Sequence, residues 1–287
     1  MSIGYAADAA SWDRAYSNRI AVSNTAEWMA ETAEKARGFT TDYPFSSRLG
    51  IDYAPGLRRD FDIFEPQNVA RGTLIFIHGG YWRAGSKEEH HHFAAGALAE
   101  GWRVAIPEYP LCPDVRIAEI SQLMTQATEA IASHCPDGPI VLSGHSAGGQ
   151  LATFVVSEGS GLSSETRDRI KLVVSLSGVH DLRPLLFTSD LNGSLHLDQR
   201  EADGFSPALR RPGHGFELAC VCGGAELAEF RRQNALLANI WQGFGLTCST
   251  IEYEGRNHFT LLDLMCDRDS AMTRLLTGRS SQQTARR

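Results

Sequence analysis

Short runs of apolar and β-branched residues recur along the chain and alternate with longer stretches of helical character. Six of these runs are bounded by Gly, Pro or charged residues and are apolar enough for strands covered on both faces. They are residues 73–77, 104–107, 140–144, 172–177, 219–222 and 248–253. A seventh run, residues 60–65, alternates in polarity and is typical of an antiparallel strand that precedes the others.

The stretches between these runs predict the crossover helices of a parallel sheet. Residues 87–100 end before Gly101, and residues 115–134 end shortly before Pro136. Two further helices are expected over residues 147–158 and 227–244. Strands that alternate with helices in this way predict a doubly wound, mostly parallel sheet with helices on both faces.

Two regions break this alternation. Residues 1–40 are helix-prone and predict an N-terminal helical extension, most clearly over residues 25–37. Residues 180–215 are rich in Pro and Gly, and an insertion of this length between two strands predicts a small cap over a functional site. We expect residues 1–279 to form one domain and the polar tail, residues 280–287, to be disordered.

Composition and charge narrow the classes of partner. The formal net charge of -7 offers no electrostatic attraction for nucleic acid or an anionic membrane. The chain has neither a long apolar run that could span a membrane nor a signal-peptide pattern, which predicts a cytoplasmic protein. We expect a small-molecule substrate, no cofactor and a possible homodimer. Cys220 and Cys222 are interpreted as packing thiols of a strand.

The strongest chemical motif is Gly144-His-Ser-Ala-Gly148, which follows an apolar run and opens a predicted helix. A serine hydrolase requires this context, because a tight turn must push the serine side chain out above the sheet. Glycine at both ends allows close backbone approach. Ser146 is therefore the predicted nucleophile.

An upstream loop carries a second motif, His78-Gly-Gly-Tyr-Trp82, at the end of an apolar run. Such loops supply main-chain donors to an oxyanion hole. The amides of Gly80, Tyr81 and Ala147 are the predicted donors, and His78 is interpreted as a structural hydrogen-bonding residue.

A nucleophilic serine needs a general base, which must itself be oriented by a carboxylate. His258 lies just after the last apolar run, where the base is expected, whereas His196 and His214 fall in the predicted cap. Glu226 is the first acidic residue after the run 219–222 and is the preferred acid. Three alternatives stay open for that position: Asp181, Glu229 and Glu254.

Three consecutive histidines, residues 90–92, resemble a metal-binding tract. They fall in a predicted helix, where consecutive side chains point in different directions and do not readily share one ion. No metal site is predicted.

The chain resembles the kynurenine formamidase (arylformamidase)-like esterases of the α/β-hydrolase superfamily. The likeness spans roughly residues 50–275 and is carried by four segments: His78-Gly-Gly-Tyr-Trp82, Gly144-His-Ser-Ala-Gly148, Gly223-Gly-Ala-Glu-Leu-Ala-Glu-Phe-Arg-Arg-Gln233 and Asn257-His258-Phe259. Glu226 stands where that branch generally has Asp, and Gly149-Gln150 replaces an expected Ala-His.

The resemblance implies an α/β-hydrolase fold and an acyl-transfer reaction by a Ser146-His258-Glu226 triad. It also implies a small acyl group, such as formyl, on an aryl amine or alcohol. We expect Tyr81, Trp82, Phe187 and Phe205 to line an aromatic substrate pocket, although each is also an ordinary core residue. Two other readings stay open: a short-chain or aryl carboxylesterase, and a non-catalytic binding protein on the same scaffold.

Overall fold

An eight-stranded sheet forms the centre of the molecule, which the computed structural model describes over residues 8–279. The strands lie in the order β1-β2-β4-β3-β5-β6-β7-β8. β1 pairs with β2 and β2 with β4 in antiparallel fashion, and every other pair is parallel. The strand bounds are β1 Ser47–Asp52, β2 Asp60–Phe64, β3 Thr73–Ile77, β4 Arg103–Pro107, β5 Ile140–His145, β6 Ile170–Leu176, β7 Glu217–Gly223 and β8 Cys248–Tyr253.

This architecture confirms the predicted mostly parallel sheet with an opening antiparallel section. The seven predicted strands are all present, with ends that differ by at most two residues. Strand β1 is an addition. Its residues are almost all exposed, and its pairing with β2 is interrupted between Arg48 and Ile51, so it lacks the apolar pattern that reveals the other strands.

Helices cover both faces of the sheet, as the alternation predicted. Their bounds are α1 Ala9–Tyr16, α2 Asn18–Ala21, α3 Thr25–Asp42, α4 Ala95–Ala99, α5 Ile117–His134, α6 Ala147–Val155, α7 Ser164–Arg169, α8 Asp190–Leu195, α9 Gln199–Phe205, α10 Ala228–Gln242 and α11 Ala271–Thr277. Residues 87–100 differ from the single helix that was expected, because a 3-10 helix over Glu88–Ala94 precedes the short α4.

The hydrophobic core is divided by the sheet into two clusters. One cluster includes the buried faces of α5, α6 and α10, and the other includes those of α4 and α11. β3 and β5 are fully buried, so side chains at their C-terminal ends emerge at a site surrounded by protein.

The predicted cap region, residues 180–215, contains α8, α9 and two 3-10 helices, Arg183–Phe187 and Pro207–Leu209. Helix α9 packs on α5, and α1 packs on the first of these 3-10 helices. Within residues 8–279 no helix is long and apolar enough to cross a membrane. The predicted disordered tail lies outside the residues that the structure describes.

Candidate active site

Ser146 occupies a sharp turn between β5 and α6. Its backbone angles are φ 56° and ψ -117°, a conformation that a residue with a Cβ adopts rarely and at a cost of about 1–3 kcal/mol. The turn requires Gly148, where a Cβ would lie 2.1 Å from the carbonyl oxygen of Ile77. It also requires Gly144, where a Cβ would lie 2.1 Å from the carbonyl oxygen of Gly148. The local backbone therefore matches the strand-turn-helix geometry that the sequence predicted for the nucleophile.

His258 and Glu226 form a buried pair. Nδ1 of His258 lies 2.8 Å from Oε2 of Glu226, and both side chains are almost fully buried. A carboxylate only accepts hydrogen bonds, so Nδ1 carries the proton and donates it. Nε2 is then the ring nitrogen available to Ser146, which lines the same cavity as His258.

The alternative acids have other roles. Asp181 forms a salt bridge with Arg183, at 2.8 Å from its Nε. Glu229 accepts a hydrogen bond from the Tyr16 hydroxyl at 2.7 Å. Neither of these carboxylates, nor that of Glu254, binds His258 in the part of the chain that the structure describes. The geometry thus brings the preferred candidate, and not its alternatives, to the base.

The loop after β3 presents main-chain donors beside the nucleophile. Gly80, Tyr81 and Trp82 all have positive φ, at 119°, 51° and 56°. Across residues 8–279 the amides of Gly80, Tyr81 and Ala147 donate to no protein acceptor. Gly80 and Tyr81 line the cavity with Ser146. Unpaired amides held in place before the reaction are suited to an oxyanion, and each such donor is worth about 3–4 kcal/mol.

His78 holds this loop in place. Its Nδ1 lies 2.7 Å from the Gly79 carbonyl oxygen, and its Nε2 lies 3.0 Å from Oε1 of Glu108. The ring also stacks on Tyr109 at a centroid distance of 4.2 Å, and the Tyr109 hydroxyl donates to the His78 carbonyl. These contacts engage both ring nitrogens of His78 and agree with the structural role expected for it.

His145, just before the nucleophile, contacts the base directly and was not singled out in the sequence. Its Nε2 lies 2.9 Å from the carbonyl oxygen of His258, and the two rings are 4.6 Å apart. Burial, together with the neighbouring His258, holds the pKa of His145 well below its usual range. His145 therefore stays neutral and donates to the backbone of the base without adding a charge.

A cavity of about 690 Å³ opens above these residues. Much of its wall comes from the N-terminal helices, through Tyr16, Asn18, Trp28 and Met29, rather than from the predicted cap. Tyr81 joins these helices to the site, because its hydroxyl donates to the Tyr16 carbonyl at 2.6 Å. Helical propensity revealed the extension in the sequence, but no local pattern indicated that it would reach the nucleophile.

Of the four aromatic residues expected in the substrate pocket, only Tyr81 lies among the residues that line this cavity. Trp82 is fully buried in the core, where its indole N–H donates to Gln150 at 3.0 Å. Phe205 stacks on Phe154, and Phe187 is 57% exposed and stacks on a tryptophan of α1. The structure therefore corrects the expected placement of three of the four, because core packing holds Trp82 and Phe205 and the cap turns Phe187 outward.

The cysteines and the histidine tract show no sign of metal chemistry. Cys220 and Cys222 are buried in β7, and burial raises the pKa of the Cys222 thiol to about 12. His91 binds Asp62, whereas His90 contacts a backbone carbonyl. No group of three or more His, Cys, Asp or Glu residues between positions 8 and 279 is arranged to hold a metal ion.

Comparison with known proteins places this geometry in a family. A family model described as the α/β hydrolase fold matches residues 74–262. A kynurenine formamidase of Salmo salar is 25% identical over 274 residues, which cover 92% of this chain and 91% of that protein. A kynurenine formamidase of Drosophila melanogaster is also 25% identical, with 86% of this chain and 83% of that protein covered.

Solved structures share the same architecture. A candidate thioesterase from Silicibacter sp. TM1040 has a TM-score of 0.86 and 36% identity, with 92% of this chain and 98% of that chain covered. An esterase of Pyrobaculum calidifontis has a TM-score of 0.69 and 17% identity, covering 88% of this chain and 92% of its own, which is a likeness of fold alone.

Proposed function

The chain belongs to the α/β-hydrolase fold family, and we propose that it is a serine hydrolase that removes a small acyl group from an aryl amide or ester. The observation that carries this proposal is the 2.8 Å contact between Glu226 and His258 in a site that also holds Ser146 on its strained turn. A buried carboxylate-histidine pair beside a serine on a sharp turn is the arrangement that activates a hydroxyl for acyl transfer.

The proposed reaction follows from the positions of these groups. His258 takes the proton of the Ser146 hydroxyl through Nε2 while Ser146 Oγ attacks the substrate carbonyl. The carbonyl oxygen becomes negative and is stabilised by the amides of Gly80, Tyr81 and Ala147. His258 then gives its proton to the leaving amine or alcohol, and a water molecule, activated by the same histidine, releases the acyl group from Ser146. Glu226 keeps Nδ1 protonated and stabilises the imidazolium throughout.

The size and the apolar lining of the cavity support an aryl leaving group. A volume of about 690 Å³ exceeds what a formyl or acetyl group needs, and apolar side chains such as Trp28, Met29 and Phe259 contribute to its wall. The relatives named kynurenine formamidase favour a formamide as the acyl donor. A short-chain or aryl carboxylesterase is the second candidate, because it would use every one of the same catalytic residues.

A small substrate panel tests the proposal. N-formylkynurenine, p-nitrophenyl acetate and a short acyl thioester are compared by kcat/KM, the thioester because of the Silicibacter neighbour. We expect the formamide to be turned over best. Good turnover of the ester with none of the formamide refutes the formamidase assignment and supports the carboxylesterase.

Labelling of the nucleophile tests the hydrolase mechanism separately from the substrate. A fluorophosphonate probe should modify one serine per folded chain and should leave Ser146→Ala unlabelled. Ser143→Ala is the matched control, because Ser143 is a buried serine of the preceding strand β5 whose hydroxyl donates to the carbonyl of Val174 at 2.9 Å. Full activity in Ser146→Ala would overturn Ser146 as the nucleophile. No labelling of the folded wild-type protein would overturn the hydrolase mechanism and leave a non-catalytic scaffold.

A further inference from the structure

A second serine with an unusual backbone lies at the end of β6, the strand between β5 and β7. Ser177 is fully buried and has a φ of 52°, in the left-handed region that residues with a Cβ adopt rarely. Its amide donates to the carbonyl of Val221 on β7 at 2.7 Å, which holds the residue in this conformation. Strained positions of this kind persist where the surrounding structure requires them, often at functional sites.

The side chain of Ser177 points at the proposed acid. Its Oγ lies 2.5 Å from Oε1 of Glu226, and because a carboxylate only accepts, the serine hydroxyl is the donor. Short O–H···O⁻ distances of this kind are typical of charge-assisted hydrogen bonds. The amide of Gly223 donates to the same oxygen at 2.7 Å. Two donors therefore hold Oε1, and Oε2 is left facing His258.

These two hydrogen bonds matter because the acid of this chain is a glutamate. A glutamate has one more rotatable bond than an aspartate, so a carboxylate fixed at its end needs further contacts to stay in one orientation. With Oε1 fixed by Ser177 and Gly223, rotation of the carboxylate away from His258 would break both hydrogen bonds. The single contact from Gly223 would leave the group free to pivot about that bond.

We infer that Ser177 is a positioning residue, whose hydroxyl orients Glu226 toward His258. The inference rests on the proposed function, since it assigns Ser177 a role in the same reaction. Its effect is transmitted through Glu226 alone, because Ser177 is not among the residues that line the cavity. If the hydrogen bond of Ser177 served only the stability of the fold, its loss would change the reaction rate equally with and without Glu226.

The first test compares single variants by kcat, by KM and by the rate of Ser146 labelling with a fluorophosphonate. Ser177→Ala should lower kcat and the labelling rate about tenfold and leave KM within about twofold. Ser177→Gly should show the same loss although it relieves the positive φ, and it serves as the test if Ser177→Ala does not fold. Ser175→Ala is the matched control, a buried serine of β6 whose hydroxyl contacts His180 instead, and should retain wild-type rates.

A double-mutant cycle separates positioning from structural support. In a Glu226→Ala background the Ser177→Ala substitution should change the labelling rate by no more than about twofold, because the group that it orients is gone. A tenfold loss in both backgrounds, or wild-type rates in Ser177→Ala and Ser177→Gly, overturns the inference while labelling of Ser146 still stands. A wild-type protein that the probe does not label refutes the proposed function and this inference with it.

Discussion

Replacing Glu226 by Asp removes one methylene, about 1.5 Å of reach, from a side chain whose carboxylate lies 2.8 Å from Nδ1 of His258. The loop that carries Glu226 is held by backbone hydrogen bonds to another segment of the chain. Its main chain therefore cannot readily move toward His258 to compensate for the shorter side chain. The Gly224 amide donates to Tyr253 at 2.9 Å, and the Ala225 amide donates to Arg256 at 3.0 Å. The distance to Nδ1 should therefore open to about 4 Å, beyond the range of a hydrogen bond.

The size of the effect follows from the contact that is lost. A hydrogen bond to a charged group is worth about 1.5–3 kcal/mol, and each 1.4 kcal/mol is a factor of ten in rate. Glu226→Asp should thus lower kcat by about 10- to 150-fold. KM should stay within about twofold, because Glu226 is not among the residues that line the cavity.

Steady-state kinetics on the best substrate of the panel measure both constants. Glu229→Asp is the matched control, since Glu229 is a buried glutamate three residues along the chain that binds Tyr16 and Arg232 rather than the base. It should retain kcat. A wild-type kcat in the Glu226→Asp variant, with Ser146 still required, would show that the reach of the acid does not matter and would refute the reasoning.

Three further outcomes follow from single contacts. Trp82→Phe leaves the buried side-chain carbonyl of Gln150 without its donor and should lower the free energy of unfolding, measured in urea, by about 1–3 kcal/mol. KM should not change. A raised KM in a variant of full stability would restore the pocket role expected from the sequence. Burial lowers the pKa of His180 to about 3, so the folded protein stays unprotonated there while the unfolded chain takes up a proton below about pH 6.5. Between pH 7 and pH 5 this histidine should cost about 2 kcal/mol of stability, and an equal loss in His180→Gln would contradict that. Gly148→Ala places a Cβ 2.1 Å from a carbonyl oxygen of β3 and should destabilise the fold by about 3 kcal/mol or more in thermal melts. Gly204→Ala is the control, because a Cβ at that position has open space around it and should not destabilise the fold. Equal melting temperatures of the two variants would refute the steric argument.

The strands and the nucleophile turn were predictable from short segments. Fully buried strands read as continuous apolar runs, and β3 has the bounds that the sequence indicated. The bounds of β8 were also predicted, but this edge strand is largely exposed and not covered on both faces as expected. The turn at Ser146 was recognisable from its own pentapeptide, since glycine stands on either side of the serine at the end of an apolar run. Only Gly144 is required by a carbonyl oxygen near in sequence, that of Gly148, whereas Gly148 is required by the carbonyl oxygen of Ile77 on the neighbouring strand β3.

Strand β1 and the aromatic residues were not predictable in this way. The residues of β1 are nearly all exposed, so no apolar alternation marks it. Trp82 follows the oxyanion loop in sequence, yet it turns into the core, where its N–H finds Gln150 on α6. The sequence does not distinguish a bulky aromatic residue of a pocket from one of the core, because both environments are apolar. For Trp82 the folded structure, in which its N–H donates to Gln150, places the residue in the core.

The sequence by itself determined the family, the main strands of the sheet and the position of Ser146, because each depends on local pattern and backbone sterics. Tertiary structure decided which carboxylate meets His258, since Glu226 and its three rivals all follow the C-terminal ends of strands and only packing brings one to 2.8 Å. It also decided that the N-terminal helices wall the cavity, where the Tyr81 hydroxyl meets the Tyr16 carbonyl. Contacts between residues so far apart in the chain depend on how the whole fold packs, which no local segment encodes.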